Sequence, residues 1–382
     1  MSSDVKDVTQ FFGLLSPTNV STEASVFNAN LSGQAAVAAQ DLVAAPIVNG
    51  DIISEDTSLL MQTVLVGVIS GVIGVIGTVV NILDICVFLK QGVTDSVTIS
   101  LFSLAIAELG SDVAMVWLSI CFNPWLRFSI DLSFDSIDIQ YTTACWPHIC
   151  LARVTSWITA YISFERCLCV VLPLKVKQII TPQRTTGIMI TIYFAMMLSV
   201  SPVYYATSFG PTFKPKINRT VIGLIYIPGG PALIKISNTV ALFTQVSSFF
   251  IVIICTVTLS QNLMMKARWR MDAGNVKAAG GKATSMDRDQ KVVKMVTFIA
   301  TIFLLCFTPC VFHLLTELFI PQYSVAGQFR NSYVICWSFM KTFEAVNSCL
   351  SIFVYYNMSS KFRAVFLQMF CGKSADLVKQ KL

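Results

Sequence analysis

Seven predominantly apolar runs, each about twenty residues or longer, constrain this chain more than any other feature of its sequence. A helix of about 20 apolar residues crosses the roughly 30 Å of hydrocarbon in a bilayer. Inside lipid each backbone N–H and C=O must bond within its own segment, which favours helices over strands. The runs cover approximately residues 61–89, 97–121, 147–172, 186–208, 236–264, 292–319 and 332–357. We therefore predict an all-α membrane protein, a seven-transmembrane helix bundle.

The composition excludes a soluble protein of this length. Hydrophobic residues make up 54% of the chain and charged residues only 13%, whereas soluble domains carry about 25% charged residues. The twelve cysteines lie mostly inside apolar runs and lack the paired short spacings of a zinc site, so we predict no metal centre of that kind. No nucleophile–base constellation appears, so we do not expect an enzyme.

The basic residues predict the orientation of the bundle. With the N-terminus outside, 17 of the 27 Lys and Arg residues fall on the cytoplasmic side and seven fall outside. The positive-inside rule therefore predicts a multi-pass plasma-membrane protein with an extracellular N-terminus and a cytoplasmic C-terminus. We assign the net charge of +6 to this asymmetry rather than to nucleic-acid binding. Three glycosylation acceptors, Asn19, Asn30 and Asn218, fall on the predicted outer side.

The segments that flank the bundle differ in composition. Residues 1–60 are rich in Ser, Ala, Asn and Asp, which predicts a disordered extracellular tail. The bundle follows over 61–357. Residues 358–371 place Phe362, Phe366 and Phe370 at helical spacing beside basic residues, which predicts a short amphipathic eighth helix at the interface. Residues 372–382 form a short cytoplasmic tail. Cys371 is either a palmitoylation site or a free thiol.

Several degenerate motifs have a characteristic mutual spacing. They are Glu165-Arg166-Cys167 followed by Pro173-Leu174, then Phe303, Cys306, Phe307 and Pro309, then Asn347-Ser348-Cys349-Leu350-Ser351-Ile352-Phe353-Val354-Tyr355, with Asn81 and Leu104-Ala105-Ile106-Ala107-Glu108 in the first two runs. Together they resemble the rhodopsin-like (class A) G-protein-coupled receptors. The resemblance covers about residues 61–371.

The resemblance implies a signalling function. In that family the arginine at the position of Arg166 is paired at rest and released to engage a heterotrimeric G protein, while the sixth helix moves outward. Pro309 would provide the hinge, because proline removes a backbone hydrogen bond and kinks a helix. Asp289 stands where the family often places an acidic partner of the arginine, and we predict an Asp289–Arg166 pair. Glu165, Phe307 and Tyr355 complete the set of activation residues.

The family resemblance also implies a polar core. Glu108 stands where the family usually has an aspartate that binds sodium, and Asn81, Asn347 and Ser351 stand at neighbouring polar positions. A carboxylate at this depth is costly and usually faces a polar interior. Sodium near Glu108 and a purely polar role remain two alternatives.

Two cysteines mark a departure from the family. The family's usual disulfide from the third helix to the second outer loop is absent, because Tyr141 stands at the expected position and residues 207–235 contain no cysteine. Cys121 and Cys145 bracket the first outer loop instead. Either they pair with each other or they remain two free thiols.

A narrower resemblance concerns the ligand. The stretches Trp157–Tyr161 and Phe164–Lys177 are similar to those of gastropod chemosensory receptor-like orphan receptors. This implies a small chemosensory molecule as the extracellular ligand. Two alternatives stay open: a peptide or amine receptor of the same fold, and a seven-span ligand-gated channel or transporter.

Ionisable residues inside the spans are candidates for ligand contacts. We predict a ligand site formed by Arg153, Trp157, His313, Glu317, Trp337, Lys341 and Glu344. Two cations, Arg153 and Lys341, would suit a ligand with an acidic group. The alternative is an internal Arg153–Glu344 ion pair that only holds helices together. The two tryptophans either wall the pocket or face lipid.

Overall fold

The computed structural model describes residues 51–129, 131–172, 176–214, 218–273 and 283–370, without the side chains of residues 177 and 266–290. Three predicted sites lie outside these residues: Asn19, Asn30 and Cys371. The side chain of Asp289 also lies outside the described part, so the predicted Asp289–Arg166 pair stays a prediction.

Seven long helices and a shorter one after them form the main body of the described chain, with single turns of helix at Pro124–Arg127 and Val176–Ile179 and one hairpin besides. They are α1 (Glu55–Gln91), α2 (Ser96–Phe122), α3 (Ser136–Val171), α4 (Pro182–Ala206), α5 (Gly230–Ala273), α6 (Ala283–Phe319), α7 (Arg330–Met358) and α8 (Ser360–Phe370). Of these, α1 to α6 are long and apolar enough to cross a membrane. Helix α7 has 29 residues and packs against α1 and α6, but its polar side chains lower its hydropathy. The predicted seven-helix bundle is confirmed.

The helix ends differ from those predicted because capping, rather than apolar content, sets them. Helix α1 begins at Glu55, six residues before the predicted start, with Ser54 as its N-cap. Helix α3 begins at Ser136, eleven residues early. The carboxylate of Asp135 caps it by accepting hydrogen bonds from the backbone N–H groups of Ile137 and Asp138. Helices α5 and α6 extend beyond the predicted runs, into residues 265–291 between the fifth and sixth of them.

Small residues let α1 and α2 pack closely. The Ser119 hydroxyl of α2 donates to the Gly67 carbonyl of α1 at 2.7 Å. A Cβ at Gly71 would lie only 2.0 Å from Ser119 Oγ, and one at Gly77 only 2.4 Å from Asp112 Oδ2. Such contacts are typical of membrane helices, whose association depends on packing and hydrogen bonding rather than on burial from water.

Helix α3 lies at the centre of the bundle, where it contacts α2, α4, α5 and α6. Its residues Val154, Ile158 and Ile162 are buried in the main hydrophobic core. By contrast, large apolar side chains on the outward faces are exposed, including Val72, Val75, Ile76 and Val79 of α1. An apolar outer face of this kind matches a lipid environment.

An antiparallel hairpin follows α4 and departs from the all-α prediction. Strand β1 (Thr207–Lys214) pairs with β2 (Arg219–Tyr226), with Thr207 opposite Tyr226. Asn218 lies in the turn with a positive φ of 49°, a conformation that asparagine tolerates better than most residues. We call this side of the bundle the hairpin end and the opposite side the α8 end. A search for long apolar runs cannot detect such short strands.

The hairpin is held to α3 by polar contacts. The Lys214 Nζ lies 2.9 Å from Asp135 Oδ2 and 2.9 Å from Asp138 Oδ2. The backbone N–H of Asp135 donates to the Ile222 carbonyl at 2.9 Å, and that of Leu224 donates to Asp138 Oδ2 at 3.2 Å. We call Lys214, Asp135 and Asp138 the hairpin clamp.

The clamp ties the hairpin to α3 without a disulfide. Cys121 and Cys145 are both free thiols, so of the two alternatives the structure has the unpaired one. The clamp thus joins the same two parts of the chain that the family usually links covalently.

Within the clamp, the pKa of Asp135 is lowered and the pKa of Lys214 is raised, so both groups stay charged over a wider pH range. Burial raises the pKa of Asp135, but Lys214 and two backbone N–H groups outweigh it and hold the pKa below its ordinary value. Burial lowers the pKa of Lys214, but the two carboxylates outweigh it and raise the pKa. Stabilisation from Asp135 is therefore lost as pH falls through its lowered pKa. Stabilisation from Lys214 is lost as pH rises through its raised pKa.

We predict that Lys214→Met loosens the hairpin at neutral pH. Partly exposed ion pairs contribute about 0.2–1 kcal/mol each, so the free energy of local opening should fall by about 1 kcal/mol. Amide protection factors over residues 207–226, measured by hydrogen exchange, should fall about five-fold, and acid should produce the same loss in the unaltered chain. Lys235→Met is the control, because Lys235 makes no ion pair among the described residues. Unchanged protection in Lys214→Met would contradict the clamp.

Candidate ligand cavity and polar core

A cavity of about 500 Å³ opens between α3, α5, α6 and α7 near the hairpin end. Ligand sites for small molecules commonly have volumes of about 300–1,000 Å³. Six of the seven predicted ligand residues line it: Arg153, His313, Glu317, Trp337, Lys341 and Glu344. The structure therefore brings residues from three separate spans to one cavity, as their positions in the sequence predicted.

Trp157 does not line the cavity. It lies one helical turn beyond Arg153 on α3 and packs, partly buried, against the main hydrophobic core. Its indole Nε1 is buried and has no hydrogen-bond partner. The prediction placed it in the pocket by helical spacing alone, but the cavity ends on α3 at the level of Ala152 and Arg153. Trp337 does line the cavity, and the centroid of its ring lies 5.9 Å from Lys341 Nζ.

A buried carboxylate on α7 organises the charges beside the cavity. Glu344 Oε2 accepts from Lys341 Nζ at 2.8 Å and lies 2.8 Å from His148 Nε2. The other nitrogen of His148 lies 2.9 Å from Ser111 Oγ. All four side chains are buried, and they join α2, α3 and α7. We call Ser111, His148, Lys341 and Glu344 the charged network.

The charged network replaces the Arg153–Glu344 ion pair that was the alternative to a ligand site. Lys341 lies one turn before Glu344 on the same helix face, and His148 approaches the same carboxylate oxygen from α3. Glu344 is thus already paired without Arg153. Lys341 is also neutralised by this contact, so it does not add a second uncompensated cation to the cavity.

Arg153 remains without a counter-charge. Its side chain is only 2% exposed, and it makes long contacts with the Ile149 carbonyl at 3.4 Å and Thr244 Oγ1 at 3.5 Å. Its Nη2 has no hydrogen-bond partner. Among the described residues no carboxylate lies within ion-pair distance of it. A buried, unpaired charge is costly, so this guanidinium favours an acidic group in the cavity.

His313 and Glu317 lie on the α6 wall in different surroundings. The Nδ1 of His313 lies 2.9 Å from Tyr323 Oη, and its ring packs 4.6 Å from that of Tyr333. These contacts fix His313 in the wall. Glu317 is one turn nearer the hairpin end and half-buried. The side chain of Glu317 forms neither a hydrogen bond nor an ion pair with any residue that the structure describes.

The predicted polar core residues are all buried and lie in two adjoining groups. Glu108 accepts hydrogen bonds from Ser351 Oγ at 2.9 Å and from Asn347 Nδ2 at 3.4 Å. Asn81 Nδ2 donates to Asp112 Oδ2 at 3.0 Å and also contacts Ser348 Oγ at 2.9 Å. These bonds connect α1 and α2 to α7.

Sequence reasoning missed three buried ionisable residues. Asp112 lies one turn from Glu108 and accepts from Ser348 Oγ at 2.6 Å. Asp84 lies one turn from Asn81, and both of its carboxylate oxygens are buried without a partner. His148 belongs to the charged network. Each was detectable as an ionisable residue inside an apolar run, which is expensive and usually functional.

Two small cavities lie between the ligand cavity and the α8 end. One, of about 10 Å³, touches Glu344, Phe307 and Glu108. The other, of similar size, touches Glu108, Phe303 and Ser351. Each has room for about one water. Polar side chains therefore follow one another from the ligand cavity to the last turns of α7.

Of the predicted activation residues, Glu165, Arg166 and Tyr355 lie toward the α8 end, whereas Phe307 and Pro309 lie next to the cavities in the middle of α6. Arg166 pairs with its neighbour Glu165. The buried Tyr355 ring packs 5.4 Å from Phe88 and 5.6 Å from Phe362, which joins α7 to α1 and α8. On α6, Phe307 stacks on Phe303 at 4.4 Å and lies two residues before Pro309 within the helix.

We predict that Glu344→Gln strongly destabilises the bundle. Removing one partner of a buried ion pair costs roughly 3–5 kcal/mol because the other charge is left unpaired. Thermal unfolding of the chain purified in detergent should show a correspondingly lower midpoint. The double variant Lys341→Met with Glu344→Gln should recover most of the loss, since no unpaired lysine remains. Equal midpoints for the single and double variants would contradict this network.

Comparison with known proteins identifies the family. The sequence profile of the family described as "7 transmembrane receptor (rhodopsin family)" matches residues 80–355. This stretch includes Arg166, Pro309 and Tyr355 and covers more than half of the chain. No curated protein matches the sequence. The chain belongs to the rhodopsin family of seven-transmembrane receptors.

Proposed function

We propose that this receptor converts the binding of an extracellular ligand with an acidic group into activation of a heterotrimeric G protein. The unpaired, buried guanidinium of Arg153 in the wall of the cavity carries the proposal. An acidic group that enters the cavity gains charge-assisted hydrogen bonds there, which are stronger than neutral ones. Lys341 contributes less than predicted, because Glu344 already pairs with it.

The ligand would act on α6 and the α8 end through the polar interior. Glu344 borders both the ligand cavity and the first small cavity, and Glu108 borders both small cavities. A ligand that binds one arrangement of these helices better shifts the population toward it. Outward movement of α6, hinged at Pro309, would then expose Arg166 to the G protein.

The proposal places the hairpin end outside the cell. The excess of Lys and Arg on the opposite side supports this orientation. Asn218, an acceptor for glycosylation, is exposed in the hairpin turn. The same orientation places Asn19 and Asn30 outside and Cys371 beside the cytoplasmic leaflet.

Two finer parts of the proposal rest on resemblance. Similarity of the stretches Trp157–Tyr161 and Phe164–Lys177 to gastropod chemosensory receptor-like proteins supports a small chemosensory ligand. A sodium ion beside Glu108 would take oxygen ligands from that carboxylate and from Ser351, whose hydroxyl lies 2.9 Å from it. The buried, unpartnered Oδ1 of Asn81 lies in the adjoining group.

The test is G-protein activation in cells that express the full chain, treated with tissue and environmental extracts separated by anion exchange at about pH 10, where a free amino terminus is neutral and every carboxylic acid is retained. We expect the fractions retained on the column to activate the receptor. Arg166→Ala should abolish the response at equal surface expression. Arg153→Gln should raise the half-maximal concentration about 10- to 100-fold, because a charge-assisted contact contributes about 1.5–3 kcal/mol.

Lys235→Gln is the matched control, because it removes an exposed cation from the rim of the same cavity. A response that survives Arg166→Ala would rule out the proposed coupling. An unchanged half-maximal concentration in Arg153→Gln would rule out the acidic ligand group.

We also predict that Asp289→Ala raises basal signalling. If Asp289 restrains Arg166 at rest, its removal should raise agonist-free G-protein activation several-fold. Asp287→Ala, two residues away, is the control. Basal activity equal to that of the unaltered receptor would contradict the restraint.

A further inference from the structure

Two charged side chains in the interior of the ligand cavity have no oppositely charged partner among the residues that the structure describes. Arg153 on α3 is buried and lacks a carboxylate partner, and Glu317 on α6 is half-buried and lacks a cationic one. Both line the same cavity. The other buried charges there, Lys341 and Glu344, neutralise each other at 2.8 Å. Among the buried and half-buried charges of the described lining, one positive and one negative charge are thus unpaired, whereas Lys235, also without an ion pair, is exposed at the rim.

These two charges lie at different depths. On α3, His148 contacts Glu344, and Arg153 is five residues nearer the α8 end, about 7.5 Å along the axis. On α6, Cys310 lies beside Glu344, and Glu317 is seven residues nearer the hairpin end, about 10 Å. The backbone positions of Arg153 and Glu317 are therefore about 18 Å apart in depth.

The side chains reduce this separation. In a helix the Cα–Cβ bonds tilt toward the N-terminus, which lies at the hairpin end for α3 and at the α8 end for α6. Arg153 follows this direction, since its Nε donates to the carbonyl of Ile149, one turn nearer the hairpin end. With the Cα–Cβ bond of Glu317 tilted in the opposite direction by the same rule, the two charged groups would lie roughly 10 Å apart in depth.

We infer that the ligand is dipolar and extended, with an acidic group on Arg153 and a cationic group on Glu317. A peptide chain spans about 3.3–3.6 Å per residue, so a linear tripeptide with free termini has the required length. Asn238 on the α5 wall provides a polar group for the ligand, whereas the amide of Gln245 already bonds to Ser156 Oγ. The inference rests on the proposed function and narrows its ligand class.

The test measures G-protein activation of the full chain by four pools. Three contain linear tripeptides of mixed sequence: with free termini, N-acetylated, or C-amidated. The fourth contains small carboxylic acids without an amine. We expect the free pool to act at a concentration at least ten-fold lower than either capped pool.

The variants assign each end of the ligand. Glu317→Gln should abolish the preference for a free N-terminus, and Arg153→Gln the preference for a free C-terminus. Glu317→Asp and Arg153→Lys keep the charges and should keep both preferences. Lys235→Gln should also keep both, because Lys235 is exposed at the rim. Surface expression of each variant is measured in parallel.

Three outcomes would overturn the inference. They are equal potency of the free and N-acetylated pools, an N-terminal preference that survives Glu317→Gln, and no response to any tripeptide pool. If the amine-free acids act through Arg153 while the tripeptides do not, the dipolar ligand is wrong and the proposed function stands. If Arg153→Gln changes no response at all, both are wrong.

Discussion

The carboxylate of Glu344 decides how charge is distributed in this receptor. It accepts a hydrogen bond from Lys341 on the same helix and lies 2.8 Å from His148 of α3. His148 in turn contacts Ser111 of α2. Glu344 thereby connects α7 to α3 and α2. In a low-dielectric interior such a pair is stable only when both partners are present. Because Glu344 already pairs with Lys341, Arg153 has no counter-charge among the described residues. The ligand chemistry that we propose follows from this arrangement.

The polar interior continues from Glu344 toward the α8 end. Small cavities connect Glu344 with Glu108, whose carboxylate binds Ser351 two turns further along α7. Tyr355 follows one turn later and packs against α1 and α8. A shift of α7 would therefore change contacts both at the ligand cavity and at the α8 end. These contacts connect the cavity with the end of the bundle where we propose that the G protein binds.

The sequence predicted the bundle because lipid imposes a long apolar helix for each span, and seven such runs are easy to recognise. Because ionisable residues in apolar runs are rare, they also marked six of the residues that line the cavity. The sequence could not predict which charges pair. A pair between Glu344 and Arg153 was one of two alternatives, but Glu344 instead pairs with a lysine one turn away and a histidine on α3. The hairpin was missed because its strands are short, and its clamp depends on residues 76 and 79 positions apart.

The most direct test is the structure, by electron cryo-microscopy, of the full chain bound to an activating ligand and a G protein. The account predicts an acidic ligand group within hydrogen-bonding distance of the Arg153 guanidinium, with Glu344 still bound to Lys341. It also predicts that Arg166 has left Glu165 and contacts the G protein. A ligand that leaves Arg153 without an acidic partner, or a Glu344 carboxylate that moves onto Arg153, would contradict it.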